Sequence, residues 1–78
     1  MSTYQLDART LRCPEPLMLL KAKMRTIAPG DTVELLSDDP VSARDVPAYC
    51  QFIGHILIAT PSSEHPHRYV VQKKAPKL

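Results

Sequence analysis

Apolar and polar positions alternate in TYQLDAR, where Tyr4, Leu6 and Ala8 stand against Gln5, Asp7 and Arg9. A period of two marks a strand with one buried face. From Pro14 the period lengthens. Leu17, Leu20, Met24 and Ile27 recur at helical spacing, with Lys21, Lys23 and Arg25 on the other side. APGD, residues 28–31, ends that helix in a turn. TVELLS, 32–37, reads as a second strand, and DDPVSARD then breaks the chain and starts a second helix. Its apolar stripe is Val46, Tyr49, Cys50 and Ile53, and Gly54 is its stop. Proline suits the first turn of a helix, so Asp45 at the cap with Pro47 just inside is one solution for a start that the pattern leaves open within this segment. HILIA, 55–59, is a third strand, TPSSEHP a loop and HRYVVQK, 67–73, a fourth strand. A flexible tail is expected from about residue 74.

The predicted order is strand, helix, strand, helix, strand, strand. A strand–helix–strand start favours a right-handed crossover with parallel pairing. Two amphipathic helices cover one face of a four-stranded sheet, so the expected fold is an α/β (α+β) two-layer sandwich, βαβαββ. The sheet is mixed, with both helices on one face. The 78 residues make a single domain, 1–78, without internal repeats. A monomer is expected.

Composition narrows the function. The apolar fraction of 44% suits a globular chain. A net charge of +2 is too weak to argue for nucleic acid, and one Phe with three Tyr supplies a poor platform for stacking bases. No apolar run approaches the roughly 20 residues that cross a bilayer. The first residues, MSTYQLDART, lack the basic and apolar regions of a signal peptide, so a cytoplasmic location is expected. There Cys13 and Cys50 are reduced by default. Spaced 37 positions apart, they form no C-x-x-C pair.

Cys13, Pro14, Glu15 and Pro16 stand together at the mouth of the first helix. With Cys13 at the N-cap, Pro14 is N1 and Pro16 is N3. The first four N–H groups of a helix have no intrahelical partner, so neither proline breaks a bond, and both hold φ near its helical value. A stiff first turn then carries a thiol at its tip. The helix dipole and Arg12 favour the thiolate, while Glu15 opposes it. Such a thiol suits reversible sulfur chemistry: attacking a sulfur, holding it as a persulfide and releasing it to another thiolate. Loosening the turn by Pro16→Ala is expected to leave the fold intact and to slow such transfer.

LDARTLRCPEPLMLLKAKMR, DDPVSARDVPAYCQFIGH and HRYVVQK together resemble the TusA (SirA-like) sulfur-carrier family over about residues 5–74. The resemblance implies the same βαβαββ fold. It also implies that Cys13 accepts sulfane sulfur as a persulfide, with Arg12, Pro14, Glu15 and Pro16 positioning the thiol. The implied donor is a PLP-dependent cysteine desulfurase or a rhodanese-like protein. The implied acceptor is a cysteine of a TusBCD-type or DsrE-type protein, in a relay leading to tRNA 2-thiouridine or to sulfur oxidation. Lys21, Arg25, Asp39 and Phe52 occupy positions that resemble the family's partner-binding surface. One position departs: the family pattern G-L-x-C-P-x-P has glycine where this chain has Thr10. A positive φ there would strain a threonine.

No cofactor is expected, since nothing resembles a PLP lysine motif or a phosphate loop. No metal is expected either: His65 and His67 could share a face, but a third ligand is lacking nearby. His55 reads as a favourable cation near a helix C-terminus. Cys50 falls on an apolar stripe and reads as buried packing. Two other functions compete with the carrier: an interaction module whose proline-flanked turn is only a rigid cap, and a redox sensor pairing Cys13 with Cys50. Direct contact with nucleic acid or membrane is not expected.

Overall fold

The alternation read along each strand becomes two chemically distinct sheet faces in the computed structural model, which describes residues 2–12 and 14–75. The elements are β1 (Thr3–Asp7), α1 (Glu15–Thr26), β2 (Thr32–Leu36), α2 (Ser42–Ile53), β3 (Ile56–Ala59) and β4 (Arg68–Gln72). The sheet order is β1-β2-β4-β3. β1 and β2 run parallel, and β4 is antiparallel to both β2 and β3. The architecture is the expected mixed four-stranded α+β sandwich.

Register decides what each face carries. Tyr4, Val33 and Val71 align across three strands, as do Leu6, Leu35 and Tyr69. These side chains meet Leu20, Met24 and Ile27 near α1 and Val46 and Cys50 from α2 in one core cluster. The other face is polar around its middle: Thr3 and Thr32 share a hydroxyl hydrogen bond of 2.9 Å, and Glu34 accepts from both Gln5 and Arg68. At the β3 edge the register shifts between Leu57 and Ala59, and Ile56 and Ile58 stay exposed.

α1 starts one residue later than predicted, and the start of α2, left open by the spacing, falls at Ser42. The N-cap of α1 is Pro14, one residue after the expected Cys13, with φ −96° and ψ 10°. Glu15 N–H donates to the Arg12 carbonyl at 2.9 Å, closing a turn, and the first helical bond runs from Met18 N–H to the Pro14 carbonyl at 3.0 Å. Pro16 is thereby N2 rather than N3, still among the donors that need no helical partner. In α2 the N-cap is Val41, and Asp45 lies inside the first turns. Asp39, not Asp45, begins that helix: its Oδ1 accepts Val41 N–H at 3.2 Å and its carbonyl accepts Ser42 N–H at 3.0 Å. Pro47 is an interior residue of α2. It removes the donor for the Ala43 carbonyl, and Ala43 is exposed, where water can serve instead.

Gly54 ends α2 with φ 94°, its N–H donating to the Cys50 carbonyl at 2.8 Å. The strand-to-tail boundary also moves. Lys73 pairs with the 30–31 turn through its backbone, and its Nζ donates to the Ile27 carbonyl at 2.7 Å. Lys74 Nζ donates to the Ile53 carbonyl at 2.8 Å. Successive lysines thus place a cation on the C-terminal end of each helix, where the helix dipole favours one. Lys74, expected to open a flexible tail, is therefore anchored; residues 76–78 of that tail lie outside the described residues. Thr10 shows no positive φ, so threonine in place of the family glycine carries no backbone strain of that kind.

Candidate functional site

Cys13 itself lies outside the described residues. Its surroundings in the chain are built from the end of β1 and the start of α1. Ala8, fully buried, donates its N–H to the Leu36 carbonyl at 2.7 Å, and its own carbonyl accepts Leu11 N–H at 3.1 Å. Arg12, Pro14 and Glu15 are exposed, whereas Pro16 is fully buried. One proline of the motif faces water and the other is set in the core, which anchors the first turn of α1 to the body of the protein.

Arg12 is also held from outside. Its Nη1 donates to Asp38 Oδ1 at 2.8 Å and to the Leu11 carbonyl at 3.1 Å. The expected charge beside the thiol is thus partly offset by a carboxylate from the β2–α2 loop. That loop is itself stiff. Ser37, Asp39 and Ser42 are buried, the Ser37 and Ser42 hydroxyls lie 2.9 Å apart, and Ser37 N–H donates to the His67 carbonyl at 2.9 Å.

Asp39, expected on a partner surface, is only 5% exposed and shapes this loop. Lys21, Arg25 and Phe52 do come together. They line a groove of about 410 Å³ between α1 and α2, with Met24, Tyr49, Ile53, His55 and Lys73. Phe52 is 87% exposed, and Lys21 Nζ lies 5.6 Å from the centre of the Tyr49 ring. Lysine and arginine charges with an unburied aromatic, and no carboxylate in the lining, suit a partner with an acidic rim and an apolar centre.

Residues 4–73 match the family model described as Sulfurtransferase TusA, a span that takes in the Cys-Pro-Glu-Pro motif, the Asp-Asp-Pro loop, both helices and every strand residue but Thr3. The chain belongs to the TusA sulfurtransferase family. Sulfur transfer is accordingly its general activity.

Within this TusA-family chain the second cysteine has a different character. Cys50 is 2% exposed, in the core, and burial pushes its thiol up to about 11. It is a packing residue and a poor nucleophile near neutral pH. His55 is not the cation expected at the end of α2. Burial, and then the charges of Lys74 and Lys73, lower its pKa, and its Nδ1 accepts Lys74 N–H at 3.1 Å. Lys74 fills the cationic role instead. His65 and His67 lie in the β3–β4 loop and flank a cavity of about 530 Å³ on the open sheet face. Among the described residues no group of three His, Cys, Asp or Glu side chains is placed to hold a metal ion, and no helix is long and apolar enough to cross a membrane.

Sequence reasoning missed Asp38, Tyr49, His55 and Lys73 as parts of these surfaces. Asp38 carried a signal, the doubled aspartate before Pro40. Lys73 carried none, because only the return of β4 past α1 brings it to the groove.

Proposed function

We propose that this chain is a sulfur carrier in which Cys13 takes up sulfane sulfur as a persulfide and passes it to a cysteine of an acceptor protein. The observation that carries this reading is the Cys13-Pro14-Glu15-Pro16 turn leading into α1 within the TusA-family match. The Cys13 thiolate attacks the terminal sulfur of a donor persulfide. The new S–S bond forms as the donor's S–S bond breaks, and the donor cysteine leaves as its thiolate. The second transfer repeats the exchange, with the acceptor thiolate attacking and the Cys13 thiolate leaving, so no net oxidation occurs. The donor is a cysteine desulfurase or a rhodanese-like protein, and the acceptor a TusBCD-type or DsrE-type protein of the cytoplasm. The relay feeds tRNA thiolation or sulfur oxidation.

Transfer between proteins needs a docking surface, and the groove with Lys21, Arg25 and Phe52 supports one. A redox sensor pairing Cys13 with Cys50 is disfavoured, because Cys50 is buried and its thiolate is suppressed. Incubation with a cysteine desulfurase and cysteine, followed by intact mass measurement, tests the proposal. The wild-type chain and Cys50→Ser are expected to gain the mass of one sulfur atom, and Cys13→Ser none. No gain from any donor leaves a pure interaction module.

A further inference from the structure

We propose that Asp38 is a positioning residue for sulfur transfer, holding Arg12, and through it the backbone that leads into Cys13, against the β2–α2 loop. The inference rests on the carrier reading above. Three observations carry it. First, the Arg12–Asp38 contact of 2.8 Å joins residues 26 apart in sequence, so it ties two separate loops together. Second, Asp38 is the exposed residue of a segment whose neighbours are fixed: Ser37 and Asp39 are buried, and Asp39 N–H donates to Ser37 Oγ at 3.3 Å. A carboxylate on so rigid a base can set the place of what it binds. Third, the loop before the motif is pinned at both of its arginines. Arg9 makes a two-point contact with Asp7, at 2.9 and 2.8 Å, and also lies in the field of Asp38. Arg12, the residue before Cys13 in the chain, adds the contact to Asp38, while its carbonyl accepts Glu15 N–H.

The pair is partly solvated, with 64% of the Arg12 side chain and 33% of the Asp38 side chain exposed. Such pairs add little to stability. Their effect on placement is separate, since a small displacement of a reacting group can cost far more in rate than in folding. Asp38 is therefore expected to matter to transfer and not to the fold.

The test measures sulfur loading from a cysteine desulfurase over a range of donor concentrations, alongside alkylation of Cys13 by iodoacetamide followed on its peptide, for wild type, Asp38→Ala, Asp38→Asn and Asp38→Glu. Asp38→Ala is expected to lower the maximal loading rate roughly three- to tenfold, with the half-saturating donor concentration and the melting temperature nearly unchanged. Alkylation is expected to stay within about twofold of wild type, because a small reagent does not require one approach direction. Asp38→Glu should restore most of the loading rate, and Asp38→Asn carries the comparison should the alanine variant fold poorly. Arg12→Gln combined with Asp38→Ala should load no more slowly than the slower single variant. Loading at the wild-type rate in Asp38→Ala and Asp38→Asn overturns the inference while leaving the carrier intact. So does a fall in alkylation equal to the fall in loading, which would place the effect on thiol acidity. A wild-type chain that takes up no sulfur overturns both proposals.

Discussion

The burial of Pro16 turns a residue read as a local stiffener into part of the core, and its replacement gives a measurable quantity. Pro16→Ala removes the Cγ and Cδ methylenes from a site with no solvent exposure to speak of. At about 0.8 kcal/mol for each buried methylene, the lost transfer energy is about 1.6 kcal/mol. Relaxing the unfolded chain costs the native state about a further 0.4–1 kcal/mol, so the expected loss is about 2–3 kcal/mol. The replacement's N–H falls at N2, where no helical partner is required, and changes this little. Pro14 provides the control: it is exposed, so Pro14→Ala should cost only the unfolded-chain part, about 0.4–1 kcal/mol. Urea denaturation followed by circular dichroism measures both, with the midpoint moving at an unchanged slope. In a domain of this size the larger loss corresponds to a melting-temperature drop of about 10–20 °C. Equal, small losses in the two variants would refute the argument, because the buried ring would then contribute nothing beyond its effect on the unfolded chain. A sulfur-loading assay on the same samples separates the two roles of the prolines: slower loading at a temperature where Pro16→Ala is fully folded is the result expected of a loosened first turn.

Two further outcomes follow from other parts of the chain. The Cys50 thiol ionises near 9 when unfolded and is pushed up to about 11 by burial, so the native state keeps its proton longer. That contribution is fully present below pH 9 and is lost as pH rises towards 11. Urea midpoints measured across this window should fall less steeply for Cys50→Ala than for wild type, and parallel curves would contradict the assignment. Gly54→Ala forces a side chain into φ 94° at the end of α2, although the added carbon would meet Lys74 Cδ at an ordinary 3.7 Å. A cost of about 1–2 kcal/mol in urea denaturation is expected from backbone conformation alone, and an unchanged midpoint would show that the α2 terminus adjusts freely.

Much of the fold was legible because it depends on periodicity. Tyr4 and Leu6 at period two, and Leu20 and Met24 at helical spacing, each bury one side whatever lies opposite. The motif was legible for a related reason: prolines beside a cysteine are unusual enough to demand a helix start. The exact starts were less legible: the first was placed one residue early, and the second was left open with Asp45 as one solution. At α1 the Glu15–Arg12 bond closes a turn before the helix begins, and at α2 the buried Asp39 outweighs Asp45 as the initiating side chain. Both depend on backbone bonds and burial that spacing along a chain does not encode.

Local pattern alone therefore determined the element order, the buried stripes and the place of Cys50 on one of them, since each follows from which side chains prefer to leave water. Only the tertiary structure decided that Asp39 is interior and Asp38 reaches Arg12, that Pro16 is core, and that Lys73 joins Lys21, Arg25 and Phe52 at one groove. Those outcomes require segments distant in sequence to meet, and the meeting is fixed by sheet order and register, where β4 inserts between β2 and β3.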